Sequence, residues 1–558
     1  MTELSPERKR QLEELRLQLE AEEQADKQAA EANHFRASDL PLIIDPSLST
    51  APMGHQVRAL NFCATLYRQG EPGVALLMEQ GTGKSLVAVG LATAMARKGA
   101  ARWALIVCPN SLKGTWAAQD GEISKHSALD ADVTVLRGPK VDRLKDLKHA
   151  LARMRRGRFQ WVVVNIDHFS SNTYTKRGTW APTAGFQEFL DMVKPAGKRG
   201  LLILDESSKA KNPESIRTVA LHQLAPLMAW RMILTGTPVT KSPLDVWAQF
   251  EVLKKGALGA FSYLAFERRF GVQKFVKHGN RTVVETVDYR NLEELEEQVA
   301  RLSFRVLAKD CLDLPEVVRR TIPVELTPEQ ESVYRELRTD MMALLEEGKL
   351  VDGRNILTRF LRMSQVMGGS VGAMDEDGQP IKEQHIFNPN PKLDAAAEYL
   401  DLAFENPTDK AVVFAQFRSE IATLEELAEK RGWEPVVFHG DIPELKRDEG
   451  RQRFQKDPAA RIFIAQYQTG SYGLNLVAAN HLLFYGLTFD LELFSQARKR
   501  VHRKGQERMV NEVILQAVTG AGGRTMDHLI LQALDEKQDF ADVVTGDYRA
   551  LRAELAAL

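Results

Sequence analysis

Cysteine is scarce in this chain. The three residues, Cys63, Cys108 and Cys311, stand far apart in 558 positions and without the paired spacing of a zinc site. A disulfide scaffold is excluded, and free thiols in a reducing compartment are expected. Long apolar runs are also missing: no stretch approaches the roughly eighteen residues of a bilayer span, and the opening MTELSPERKRQLEELRLQLE lacks the apolar core of a secretion signal. The expectation is a protein that works where it is made, with no membrane partner. Neither charge dominates, with 74 Lys and Arg against 75 Asp and Glu, so any polyanion must be met by a local patch. What remains is 44% hydrophobic and 27% charged, the composition of an ordinary globular protein. At about 150 residues per domain, the length suits three or four packing units.

Residues 1–35 are rich in Glu, Lys, Arg, Gln, Ala and Leu, with Leu4, Leu12, Leu15 and Leu19 near helical spacing. They read as a charged helical arm, too short in heptads for a coiled coil. From about 40 to 255, short apolar runs alternate with helical or loop stretches: VALLM at 74, WALIVC at 103, VTVL at 133, WVVVNI at 161, LLIL at 201 and RMILT at 231. Runs of this length without alternation suit strands buried on both faces, the mark of a parallel sheet flanked by helices. Between about 256 and 400 the sequence turns helical and charged. The apolar runs then return with AVVFAQF at 411, PVVFH at 435, RIFIAQ at 461, HLLFYG at 481 and EVILQAV at 512. Two α/β halves around a helical middle is the simplest account.

Glu79-Gln80-Gly81-Thr82-Gly83-Lys84-Ser85 lies between the strand-like VALLM and the helix-like SLVAVGLATAMARK. Strand, glycine loop and helix are what a phosphate site needs. Gly81 and Gly83 would let backbone N–H groups converge on phosphate oxygens, Lys84 would reach the β/γ-phosphates, and Ser85 can ligate magnesium. An NTPase also needs a carboxylate on the metal and a group to polarise water. Leu201–Leu204 runs directly into Asp205-Glu206-Ser207-Ser208, at the sheet edge where α/β ligands bind. Asp205 is the expected metal partner and Glu206 the expected water-polarising group.

With these motifs, the chain resembles the Swi/Snf-type (sucrose non-fermenting) family of helicase superfamily two, in its compact bacterial or viral-like form. Met53-Gly54-His55-Gln56 resembles the family's adenine-reading glutamine motif, and EQGTGKS its phosphate loop, which also lacks the first Walker glycine replaced here by Met78. LIVCPNSLKGTW at 105, DESSKAKN at 205, LTGTPV at 234, FRVLAKDCLDLPE at 304 and VELTPEQESVY at 324 follow in family order. VVFAQF at 412, FHGD at 438, QTGSYGLNLVAA at 468 and QARKRVHRKGQ at 496 complete the series. The acidic box reads Ser207-Ser208 where the family usually ends in histidine, and KGQ replaces the commoner IGQ.

The resemblance implies two RecA-like, doubly wound parallel-sheet lobes with helical insertions between them. Its boundaries would be a first ATP-binding lobe at 36–255, a linker and bridging segment at 256–320, a second lobe with a helical protrusion at 321–545, and a tail at 546–558. ATP, with Mg2+ on Ser85 and Asp205, would sit between Gln56, Gly81, Thr82, Gly83, Lys84 and Ser85 of the first lobe and Arg500 and Arg503 of the second. Arg500 and Arg503, three apart and so on one face if helical, would meet the γ-phosphate. Thr235, Gly236, Thr237 and Gln496 would couple the cycle to movement. Lys113, Trp116, Thr237, Gln416, Phe417, Gly473 and Asn475 would grip DNA, with Trp116 and Phe417 suiting core aromatics better than base-stacking platforms, and Arg153, Arg155, Arg156 and Arg158 form either a DNA-facing stripe or a solvated helix. The implied activity is ATP-driven translocation on double-stranded DNA, with DNA-bound proteins as further partners, in a bacterial or virus-infected cytosol or, in a eukaryote, the nucleus. Strand separation on DNA or RNA, and an ATP-gated binding module without turnover, are the alternatives. The oligomeric state stays open.

Overall fold

The computed structural model describes residues 48–536 apart from 170–172, 175–179, 240–241, 279–280, 347–352, 375–379 and 471–473. The N-terminal arm at 1–35, the tail at 546–558 and Gly473 therefore lie outside the described residues.

Six apolar runs form β1 (Gly73–Met78), β2 (Trp103–Cys108), β3 (Ala131–Val135), β4 (Phe159–Asn165), β5 (Gly200–Asp205) and β6 (Trp230–Thr235). Strands β1, β2, β4 and β5 are buried at every position, which is why they show no alternation. An antiparallel hairpin, β7 (Gly271–His278) and β8 (Arg281–Tyr289), follows, and then β9 (Ser303–Val306). The first sheet has the order β9-β1-β6-β5-β2-β4-β3, and all its pairs are parallel. β1, β6 and β5 are neighbours, so the phosphate loop, the LTGTPV motif and the acidic box leave adjacent strand ends on one edge.

The second sheet is built from β10 (Val317–Glu325), β11 (Ala411–Ala415), β12 (Val436–Phe438), β13 (Ile462–Gln466), β14 (His481–Phe484) and β15 (Val510–Val518). Its order is β10-β15-β14-β11-β13-β12, again all parallel. Phe414, Tyr467 and Phe484 stack in its core with ring centroids 5.2–6.2 Å apart. These are the two doubly wound α/β lobes expected from the sequence.

The middle is less helical than its charge suggests. The stretch read as a linker, 256–320, supplies β9 to the first sheet and part of β10 to the second, besides the β7–β8 hairpin. These strands escape an apolar-run reading because β10 is an edge strand with charged outward positions, while in the hairpin Phe275, Val284 and Val287 are exposed. Cys63 and Cys108 are buried and all three cysteines are free thiols. Among the described residues, no helix is long and apolar enough to cross a membrane.

Candidate nucleotide cleft between the lobes

Helix α1 (Gly54–Arg68) starts at the glutamine motif, and α2 (Lys84–Arg97) starts where the phosphate loop ends. Gln56 ties the two together: its Oε1 accepts from the Met53 N–H at 2.8 Å, and its Nε2 donates to the Thr82 carbonyl at 2.9 Å. His55 Nε2 shares that carbonyl at 2.8 Å. Gly81 and Gly83 are left-handed, with φ of 83° and 90°. A Cβ on Gly83 would lie 2.1 Å from Gln56 Nε2, so the turn has room for glycine alone. Gly236, in LTGTPV, packs so closely on the loop's entry that a Cβ there would lie 3.3 Å from the Glu79 Cα. Thr235 is buried, and its hydroxyl accepts from the Thr237 N–H at 3.1 Å.

Lys84 is half-buried, with Nζ donating to the Met78 carbonyl at 2.8 Å. Burial pushes its ammonium down, and Glu206 and Asp205 pull it back toward the charged form. Burial likewise pushes the Asp205 and Glu206 carboxyls up, the one raising the other, while Lys84 opposes both shifts. Glu206 holds a left-handed backbone, φ 52°, and its N–H donates to Asp205 Oδ1 at 3.0 Å. For a non-glycine residue that conformation costs about 1–3 kcal/mol and is concentrated at functional sites.

The second lobe closes on this edge through α5 (Leu491–Arg498) and the turn after it. Arg500 Nη2 donates to Gln80 Oε1 at 2.5 Å, and its other nitrogens hold the carbonyls of Gln496 and Leu474. Arg503 Nη1 donates to the same Leu474 carbonyl at 2.8 Å, and its Cβ would meet a Cβ on Gly81 at 3.5 Å. Lys499 Nζ pairs with Glu79 Oε1 at 2.9 Å, and Glu79 Oε2 accepts from the Ala308 N–H at 2.7 Å. Burial alone would raise the Glu79 carboxyl, but these two donors outweigh it and hold it low.

These residues fit a nucleoside triphosphate with magnesium. The glycine cradle carries no side chain, the first turn of α2 presents its N–H groups, and cations stand on both walls. No group of three or more metal-ligating side chains occurs among the described residues. Magnesium needs none, since one or two protein oxygens plus phosphates and water complete its octahedron.

A model of the SNF2-related domain matches residues 55–368, more than half of the chain. The chain belongs to the SNF2 family. A model of the helicase conserved C-terminal domain matches residues 391–505. Among similar proteins, mouse "DNA annealing helicase and endonuclease ZRANB3" is 25% identical over 67% of this chain and 33% of its own length. The Bacillus subtilis "putative ATP-dependent helicase/translocase YwqA" is 22% identical over 90% of this chain and 49% of its own. The chain thus spans a third to a half of these relatives. A solved Sulfolobus solfataricus SWI2/SNF2 ATPase core in complex with dsDNA aligns at 21% identity and a TM-score of 0.40, covering 93% of this chain and 98% of that one.

The positions expected on DNA differ in exposure. Trp116, on α3 (Lys113–Ala117) in chain order between α2 and the later helices, is 1% exposed and donates its indole N–H to Asp205 Oδ2 at 2.8 Å. It braces the acidic box, its ring buried in the first lobe, in keeping with a core aromatic. Lys113 is 5% exposed, and Gly114 beside it faces Asp448 of the second lobe, so α3 is covered rather than open. Arg153 and Arg158 are not a free stripe, since both pair with Asp132 on β3, at 3.1 and 3.0 Å. Asn475 is exposed. Gln416 and Phe417 are half-buried at the start of α4 (Arg418–Lys430), where both backbone N–H groups donate to Glu420 Oε2, at 2.8 and 3.0 Å.

Two residues that no motif selected touch the acidic box. Ser207 Oγ donates to Gln249 Oε1 at 2.7 Å, and Ser208 Oγ donates to Glu492 Oε1 at 3.1 Å. Neither carries a local signal, because Gln249 sits within an apolar helix and Glu492 within an ordinary first turn.

Proposed function

We propose that the chain is a nucleic-acid-stimulated ATPase that moves along double-stranded DNA, with ATP held between the lobes. The observation that carries the reading is the Arg500–Gln80 contact, a second-lobe arginine on the phosphate loop of the first. Membership of the SNF2 family and the names of the relatives support it.

In this reading the first lobe occupies about 36–255 with β9 added, and the second begins near β10. Gln56, Gly81, Thr82, Gly83, Lys84 and Ser85 hold the nucleotide, and the two carboxylates facing Lys84 offset part of the downward push of burial on its ammonium. Magnesium, on Ser85 and Asp205, would supply charge neutralisation at the phosphates. Glu206 polarises the attacking water, held at its post by the strained turn and the bond to Asp205. Arg500 and Arg503 meet the γ-phosphate from across the cleft, where a finger arginine is worth ~10³–10⁵ in rate. Hydrolysis therefore requires a closed cleft, and loss of the γ-phosphate contacts lets the lobes part. Thr235, Gly236, Thr237 and Gln496 relay that change. Thr237, Gln416, Phe417 and Asn475 remain the candidate grips; the hydroxyl of Thr237 and the amides of Gln416 and Asn475 suit phosphates without reading sequence.

The test is steady-state ATP hydrolysis with duplex DNA, single-stranded DNA, RNA or no polymer. Duplex-specific stimulation is expected. Preference for single strands or RNA would favour strand separation, and no turnover under any condition would leave a binding module. Glu206→Gln should bind ATP and stall, and normal turnover would move the water-polarising role elsewhere.

A further inference from the structure

The acidic box of this chain ends in two serines, and both hydroxyls are engaged. Within the first lobe, Ser207 Oγ donates to Gln249 Oε1, and Gln249 Nε2 donates onward to the carbonyls of Pro238 and Asp245 at 2.7 and 2.9 Å. Pro238 belongs to LTGTPV, so one buried amide joins the acidic box to the loop that follows the coupling motif. Across the cleft, Ser208 Oγ donates to Glu492 Oε1 at 3.1 Å, the same oxygen accepts from Gln496 Nε2 at 3.0 Å, and Lys209 Nζ lies 3.8 Å from it. The Glu492 side chain is only 8% exposed, and Asp490 fixes the turn that carries it by capping the Leu493 N–H at 2.9 Å. Gln496 Oε1 is buried without a partner among the described residues.

We propose that Glu492 is a positioning residue through which the second lobe reads the acidic box, its carboxylate clasping Ser208 when the cleft closes, with Gln249 carrying the same signal inside the first lobe. Glu492 belongs to the second lobe yet its hydrogen bonds reach both the acidic box and the coupling residue Gln496. Its bond to Ser208 exists only while the lobes face one another, so it reports closure to the segment that holds Glu206. A serine is short, and reaching the coupling loop and the opposite lobe requires an intermediary on each side. Gln249 and Glu492 are those intermediaries. The proposal rests on the ATPase reading above and specifies how duplex binding reaches the hydrolytic residues.

The experiment compares wild type, Glu492→Ala, Glu492→Gln, Ser208→Ala and the double Glu492→Ala/Ser208→Ala, all full chain. If the wild type shows no duplex-stimulated hydrolysis, the ATPase reading fails, and the variants are not needed to see it. With stimulation present, Glu492→Ala is expected to lower duplex-stimulated kcat about tenfold while basal turnover and KM for ATP stay within about twofold. Ser208→Ala should do the same and the double should be no worse, since both sever one link. Glu492→Gln keeps an oxygen for Ser208 and should restore most of the stimulation. A readout without turnover comes from the Glu206→Gln background, where duplex DNA should tighten binding of a fluorescent ATP analogue and Glu492→Ala should abolish the tightening. Wild-type stimulation in Glu492→Ala, multiplying losses in the double variant, or intact tightening would each overturn the proposal.

Discussion

Glu420→Gln is a test of how the second lobe holds the turn that bears Gln416 and Phe417. Glu420 is buried, and its carboxyl accepts both backbone N–H groups of that turn. Burial pushes it from an ordinary 4.5 up to about 7, against the pull of those N–H groups and of Lys392. The folded state therefore binds a proton that the unfolded chain releases between these two values. Stability contributed by the neutral carboxyl is complete below about 4.5 and is lost as pH rises through about 7. The rise corresponds to about 3 kcal/mol, an upper bound for one group. Glutamine keeps an oxygen for the N–H groups and removes the titration. Urea unfolding from pH 5 to pH 8, followed by second-lobe tryptophan Trp433, should show the wild type losing about 2–3 kcal/mol that the variant retains. Glu251, half-buried in the first lobe and also raised to about 7, adds a parallel loss that the variant does not touch. Equal slopes for wild type and Glu420→Gln would refute the reasoning.

The two loop glycines should separate. Gly83→Ala puts a Cβ into Gln56 on top of about 1–2 kcal/mol of left-handed strain, and fluorescent-nucleotide titration should find no binding in a protein that still melts cooperatively. Gly81→Ala meets only ordinary contacts, and its affinity should fall about tenfold; identical losses would contradict the crowding argument. Trp116→Phe removes the indole donor to Asp205, which favours the charged carboxylate. The acid limb of the kcat/KM profile should therefore move to higher pH, and an unmoved limb would separate Trp116 from the acidic box.

Both sheets were legible because fully buried strands such as Val162–Val164 and Leu201–Leu204 leave unbroken apolar runs. The phosphate loop and the acidic pair were legible because their chemistry is written in consecutive residues. Other features had no such trace. β9 is four residues of mixed character, and the β7–β8 hairpin is exposed enough to need no apolar face. Trp116 looks the same in sequence whether it stacks on a base or braces Asp205, 89 residues away. The Ser207–Gln249 and Ser208–Glu492 bonds span 42 and 284 residues, and only the adjacency of β5 and β6 and the closing of the cleft bring them together.

The claim beneath all of this is that one nucleotide is held from both lobes, by Lys84 on one side and Arg500 and Arg503 on the other. Single-turnover hydrolysis by Arg500→Ala on duplex DNA, measured beside its affinity for ATP, tests it most directly. The account predicts a rate lower by ~10³ or more with affinity changed less than about tenfold. A normal rate in Arg500→Ala would contradict it.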